Sequence, residues 1–287
     1  MPEAPEVEIT VRKLKQQILN LKLIDIDFYC AKFNAVHNDY STLLKPFLPA
    51  TVNDVFRKGK YIFIKLILSD GIQEIYLHSH LMMTGRWTWQ YNPDNHPRLR
   101  LKFGIKNGII NIINKNVYFE DSRTIGKFDI MTLSQVNDML NKLGPDILNQ
   151  PLDYDQWWNT LIGGQRNRVN RNICAALMDQ ETFAGIGNYL KAEILFAARI
   201  NPNKKVAELN QQQRIDLHYH MYDIPKRSLQ SNGLTIRDFW DPDGIKGIFN
   251  RLVYDQSTVT INDQIYNVIQ GKFADGRNTY YCADFQY

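Results

Sequence analysis

Tyr61-Ile62-Phe63-Ile64-Lys65-Leu66-Ile67-Leu68, closed by Ser69-Asp70-Gly71, decides how the first half of this chain is built. A hydrophobic run ended by turn residues reads as a strand. Outward from it the pattern recurs at Gln73 to Leu77, at Leu99 to Phe103, and at Ile109 to Ile113 after Lys106-Asn107-Gly108. Asn-Gly between apolar runs is a hairpin signal. Short strands at this spacing, continuing to about residue 130, predict a β-sandwich or barrel. Before them the period changes, because Val7, Val11, Leu14, Ile18 and Leu21 recur at near-helical spacing and form one stripe. After them a helix is predicted from a Ser134 cap through Val136, Met139, Leu140 and Leu143, stopped by Gly144-Pro145. Further helices are predicted at Tyr154–Leu161, Asn172–Met178, Tyr189–Ala198 and Gln211–Leu229. From Leu252 short β-like runs return at Val259-Thr260-Ile261, Ile265 to Ile269 and Asn278 to Cys282. The expected fold class is α+β, divided as 1–133, 134–250 and 251–287, with the main boundary between Thr132 and Pro151.

Composition narrows the function classes. No run approaches the ~18 apolar residues of a membrane span, and the N-terminus lacks a basic-then-apolar signal pattern. Three scattered cysteines, Cys30, Cys174 and Cys282, argue against a disulfide framework and against a four-cysteine zinc site. The expectation is a protein inside the cell, not secreted, and not membrane-bound. With 34 Lys+Arg against 30 Asp+Glu, the formal charge of +4 is too small to identify a nucleic-acid binder. Its placement says more. From Gln165 to Lys205, Arg166, Arg168, Arg171, Lys191, Arg199, Lys204 and Lys205 face only Asp179, Glu181 and Glu193. Such a segment can neutralise phosphates, and charge alone reads equally as a solvated helix face.

The chain opens Met1-Pro2-Glu3-Ala4-Pro5-Glu6-Val7-Glu8. A helix start explains it: proline in the first turn loses no hydrogen bond, and glutamates suit the positive end of the dipole. A chemical reading stands beside that one. Removal of Met1 would expose the secondary amine of Pro2, and α-amino groups titrate near 8, so a neutral, nucleophilic fraction exists at physiological pH. Attack on a sugar C1′ would give an iminium, and Glu3 could move the proton such a reaction requires.

Those eight residues resemble the start of the Fpg/Nei family of DNA glycosylase/AP lyases, and further matches follow in the family's order. Arg57-Lys58-Gly59-Lys60-Tyr61 resembles the strand carrying its phosphate-binding lysine, and His80-Leu81-Met82-Met83-Thr84-Gly85 its His-Leu-x-Met-[Ser/Thr]-Gly loop. Asp121-Ser122-Arg123-Thr124-Ile125-Gly126 is similar to its Asp-x-Arg-Arg-Phe-Gly, and Leu143-Gly144-Pro145-Asp146 to its inter-domain segment. Ala184-Gly185-Ile186-Gly187-Asn188-Tyr189 with Ala192-Glu193 resembles the helix–two-turns–helix DNA-binding element. The resemblance covers almost the whole chain. It implies Pro2 as nucleophile, Glu3 as acid/base with Glu6 assisting, Lys60 and His80 on phosphates, and Met83, Arg123 and Ile125 filling the void left by an extruded base. Asn188 joins the phosphate contacts, the glycines before it letting backbone amides approach a phosphate at a helix N-terminus. Tyr254 resembles the family tyrosine near the phosphates.

The tail departs from the family pattern. Typical bacterial members end in a four-cysteine zinc finger whose hairpin carries an essential arginine, and here only Cys282 remains. Val268-Ile269-Gln270 and Gly276-Arg277-Asn278-Thr279-Tyr280-Tyr281-Cys282 keep the hairpin's flavour, with Arg277 in the arginine's place. This resembles the zincless finger of some Nei-like proteins, with Phe273, Tyr280, Tyr281 and Phe285 replacing the metal's contribution. The resemblance therefore implies a monomeric enzyme that uses no metal or organic cofactor. Its partner would be damaged DNA, duplex or single-stranded, in a basic cleft, cleaved by β,δ-elimination. The Nei-like tail points to oxidised pyrimidines and hydantoins. An 8-oxoguanine-preferring Fpg-type enzyme, an inert damaged-DNA binder and an N-terminal-proline tautomerase are the alternatives.

Overall fold

α1 (Ala4–Ile18) forms where the apolar spacing places it, and its stripe of Val7, Val11, Leu14 and Ile18 is fully or almost fully buried. Burying each such side chain contributes about 1.5–3 kcal/mol. The computed structural model describes residues 1–287 except 105, 108–110, 113–114, 165–167 and 236–238. Most of the Ile109 to Ile113 run, and Arg166, therefore lie outside the described residues. After α1 come β1 (Lys22–Phe28), α2 (Asn34–Asp39), β2 (Ala50–Lys58), β3 (Tyr61–Ile67), β4 (Glu74–His80) and β5 (Gly85–Thr88). They continue as β6 (Pro97–Gly104), β7 (Lys106–Asn107), β8 (Asn111–Ile112), β9 (Lys115–Asp121), β10 (Lys127–Thr132) and α3 (Leu133–Asn141).

Eight of these strands form one antiparallel sheet in the order β10-β4-β3-β2-β1-β6-β9-β5. The sheet folds over as a sandwich. Trp87 on edge strand β5 packs on Phe128 of the other edge strand, β10, and donates its indole N–H to Ser79 Oγ on β4 at 3.0 Å. The alternation of β3 is that of a strand buried on both faces: Ile62, Ile64 and Leu66 enter the core under α1, while Phe63 packs with Tyr76 and Val136 on the other side.

The chain divides by packing into two compact units. The first comprises Met1–Pro2, Glu6–Asn141 and Asn232–Ile248, and the second Glu3–Pro5, Lys142–Ser231 and Phe249–Tyr287. Packing thus partitions the chain differently from the sequence pattern. α3 belongs to the first unit because Val136, Met139 and Leu140 cover the outer sheet face at Phe63 and Tyr76. Its cap is Thr132 rather than Ser134: Thr132 Oγ1 accepts from Gln135 N, and Gln135 Oε1 accepts from Thr132 N at 2.8 Å. Segment 232–248 joins the same unit through Asp243, which pairs with Lys13 of α1 and accepts from Trp89 Nε1 at 2.6 Å.

In the second unit α4 (Tyr154–Leu161), α5 (Ile173–Met178), α6 (Asn188–Ala197) and α7 (Gln211–Gln230) precede two hairpins. These hairpins are β11 (Thr258–Ile261) with β12 (Gln264–Asn267), and β13 (Ile269–Lys272) with β14 (Asn278–Tyr281). Asp153, Asn172 and Asn210 cap α4, α5 and α7 through side-chain oxygens that accept from backbone N–H groups. α6 is the central helix, buried from Tyr189 through Phe196. A helix buried on every side is normally apolar all round, yet α6 carries Lys191 and Glu193.

Candidate functional site

In the first unit the site residues lie at the ends of strands. Lys60 follows Gly59 in the β2–β3 turn, where Gly59 has φ +58°. Neighbouring Arg57 is locked by Glu8 of α1, its Nε donating to Glu8 Oε2 at 2.7 Å. Beside Lys60, His80 ends β4. Burial first, and then the positive charge of Lys60, push its imidazole pKa down to about 3. Its Nδ1 accepts from Met82 N at 3.0 Å, so the neutral ring carries its proton on Nε2 as a donor. Pro2 is buried, and Glu6 Oε1 accepts from Leu234 N at 2.8 Å.

Met83 and Arg123 meet at the tips of two loops, the Arg123 guanidinium 3.2 Å from Met83 Sδ, and both are exposed. What holds the loops is a buried carboxylate. Asp121 accepts from the Thr84 hydroxyl, from Arg123 N at 3.2 Å and from Gly126 N at 2.6 Å. Lys32 adds two donations, to Thr124 O and Gly126 O, both at 2.7 Å. Ile125, half-buried, sits in the same braced turn.

In the second unit Glu3 reaches the N-terminus of α6. Its carboxylate accepts from Gly187 N at 2.6 Å, Tyr189 N at 2.9 Å and Leu190 N at 3.2 Å. The glycines exist for this approach. A Cβ on Gly187 would fall inside the Glu3 carboxyl, and Gly185, at φ +114°, lies against Ala4. The sequence reading assigned those amides to a phosphate; the structure assigns three of them to Glu3, since a carboxylate satisfies the open N–H groups of a helix start just as a phosphate would. Asn188 instead donates through its side chain to Asn278 O at 2.9 Å, while its Oδ1 is buried without a partner. Tyr254 stacks edge-on against Tyr189 and Tyr280. Its pKa is raised, chiefly by burial. Arg277 is exposed at the turn of the β13–β14 hairpin.

Three roles are absent from the sequence reading: Asp121 as a brace, Glu193 as an acceptor for the 252–254 amides, and the Lys191–Asp275 pair. Glu193 accepts from Leu252, Val253 and Tyr254 N at 2.8–2.9 Å and so fixes the segment bearing Tyr254. Burial raises its pKa. The available signals were its place beside Ala192 in the helix–two-turns–helix resemblance and a charge inside an otherwise apolar helical stretch. Within the basic segment, Arg168 and Arg171 share Asp179, Lys191 pairs with Asp275, and Arg199 lies over the Phe285 ring at 4.7 Å. Asp179 and Asp275 thus balance part of its charge inside the unit.

Where a metal would hold a four-cysteine finger, Cys282 joins an apolar cluster with Ala192, Phe196, Val253 and Val259, flanked by Tyr254, Tyr266, Tyr280 and Phe285. Phe273 and Tyr281 form a separate edge-to-face pair. Among the described residues no three His, Cys, Asp or Glu side chains are grouped to hold a metal ion, and no helix is long and apolar enough to cross a membrane.

Residues 1–128 match the formamidopyrimidine-DNA glycosylase N-terminal domain, and residues 143–239 the formamidopyrimidine-DNA glycosylase H2TH domain. The chain is 28% identical over 295 residues to the formamidopyrimidine-DNA glycosylase of Acaryochloris marina, covering 100% of this chain and 99% of that protein. It is 29% identical over 293 residues to that of Mycoplasma genitalium, covering 100% and 96%. Among solved structures it is similar to Lactococcus lactis Fpg in complex with abasic-site DNA, with TM-score 0.81, 25% identity and 99% of each chain covered. It is also similar to an L. lactis Fpg variant bound to Fapy-dG-containing DNA, with TM-score 0.82, 25% identity and 99% of each chain covered.

Proposed function

The chain belongs to the Fpg/Nei family of DNA glycosylases, and on that premise we propose that it is a bifunctional base-excision-repair enzyme that removes an oxidised base and then cleaves the strand. The observation that carries this is the whole-chain likeness to Fpg bound to abasic-site DNA, with both domains matched in order.

Removal of Met1 makes Pro2 the terminal secondary amine. Its nitrogen bonds to C1′ as the glycosidic bond breaks and the base departs with its electron pair. Sugar-ring opening then gives the iminium. Loss of a C2′ proton expels the 3′ phosphate, and δ-elimination expels the 5′ phosphate. Glu3, its position fixed by three amide donors, moves the protons, and Glu6 assists. Lys60, His80 through Nε2, Asn188, Tyr254 and Arg277 hold the DNA backbone. Met83, Arg123 and Ile125 fill the vacated stack.

The relatives are named formamidopyrimidine-DNA glycosylases, which favours oxidised and ring-opened purines as the lesion class over the pyrimidines expected from the tail. The oxidised-pyrimidine reading stays as the second, supported by the apolar cluster around Cys282, which fits a zincless finger of Nei-like type. A compartment that holds DNA, and action as a monomer, complete the proposal.

Incubation with 8-oxoguanine, formamidopyrimidine and thymine-glycol duplexes under borohydride, with chelator present, tests it. A protein–DNA adduct should form with wild type and vanish in Pro2→Gly. DNA binding without any adduct would identify an inert binder, and chelator-sensitive activity would overturn the zincless finger. The faster-excised lesion sets the substrate class.

A further inference from the structure

Lys191 is the one fully buried cation of α6, and it ion-pairs with Asp275, whose side chain is 2% exposed. Asp275 lies two residues before Arg277 in the β13–β14 turn and accepts the Arg277 backbone N–H at 3.2 Å. The turn is closed further by Gly276 N donating to Phe273 O at 2.8 Å and Phe273 N donating to Arg277 O at 3.3 Å. On the other side of Arg277, Asn278 O accepts from Asn188 Nδ2 at 2.9 Å. Asn188 and Lys191 stand three residues apart and therefore share one face of α6. That face grips the turn at 275 and at 278, with Arg277 between the grips.

We propose that Lys191, through Asp275, is a positioning residue for Arg277, fixing where that guanidinium meets DNA; the inference rests on the reading of Arg277 as a DNA contact. Stability alone does not account for the pair. An isolated hairpin with strands of four residues is marginal, and apolar contacts from Val259, Tyr266 and Phe285 already hold the finger region. A buried ion pair gives up much of its Coulomb energy to desolvation, so an apolar replacement would serve stability as well. What the pair supplies is a single geometry. Its charges neutralise each other only when the turn sits at one height against α6.

The test uses the full chain with Lys191→Met/Asp275→Asn, which leaves no unpaired charge and keeps a side-chain oxygen to cap the Arg277 amide. Arg277→Ala and the triple variant complete a cycle. The double variant should fold, exchange its 276–278 amides at least about tenfold faster, and excise roughly 10- to 100-fold more slowly, since a displacement near 1 Å can cost that much. In the Arg277→Ala background the same two changes should cost nothing more. Unchanged exchange, unchanged excision, or a further loss in the triple variant would each overturn the proposal. If the double variant does not fold, Asp275→Glu decides: it keeps the ion pair but moves the turn by one methylene. Slower excision at wild-type melting temperature supports positioning, and wild-type excision overturns it. A wild-type protein that neither binds nor cleaves lesion DNA overturns the proposed function instead, and amide exchange alone then decides the tether.

Discussion

Arg123 and Arg277 are both exposed arginines on tight turns, and the ground beneath them differs. Arg123 rises from an eight-stranded sheet whose core includes Trp87, Phe119 and Phe128, so its turn needs only local tying. Asp121 does this with neutral donors, a hydroxyl and two amides. Arg277 rises from a hairpin of four-residue strands, and its tie crosses to another element as a buried pair of full charges. A small scaffold leaves the turn's orientation to side chains, and the most orientation-demanding tie is an ion pair out of water.

The comparison breaks first at Lys191. Lys191→Met alone strands the Asp275 carboxylate in the interior and should cost about 3–5 kcal/mol, read from urea unfolding. Asp121→Ala leaves only neutral donors unpaired, so about 2–3 kcal/mol is expected, with the Met83 and Arg123 loops loosened in amide exchange. Equal losses would mean that the two braces are alike. Removing the arginines themselves should change stability by less than about 0.5 kcal/mol, because both are exposed. Their DNA binding should separate them. Arg277→Ala should lower the slope of log affinity against log salt by about 0.9, as one lost phosphate contact, whereas Arg123→Ala should leave the slope unchanged if it reads a base.

The remaining expected effect is a pH dependence and concerns His80, in the better-scaffolded unit. Its pKa is about 3 in the folded chain against an ordinary 6.5, so below 6.5 the unfolded chain takes up a proton the native one does not. Its contribution is complete above pH 6.5 and is lost as pH falls towards 3. His80→Asn should flatten that part of the unfolding midpoint's pH dependence. An unchanged curve would show that the ring is solvated.

Element positions were legible because they rest on local periodicity. The Val7–Ile18 stripe, the Tyr61 run, and the helices at Tyr154–Leu161 and from about Asn172 to Met178 all came from spacings of a few residues. The candidate residues were legible for the same reason, as short motifs. Their connections were not. Glu3 finds its amide partners 184 to 187 residues away, Lys191 its carboxylate 84 away, and Glu193 its amides about 60 away. A glutamate near the N-terminus and a lysine in a helix carry no mark of such partners. Sequence by itself determined where most strands and helices form, because backbone propensity and amphipathic period are properties of neighbours, and its short motifs named the candidate side chains. Tertiary structure alone decided that the α6 amides receive Glu3, that Arg171 and Lys191 of the basic segment are paired from within, and that Arg277 hangs from a buried charge. Those outcomes depend on which polar groups lose water together, and only the packed chain settles that.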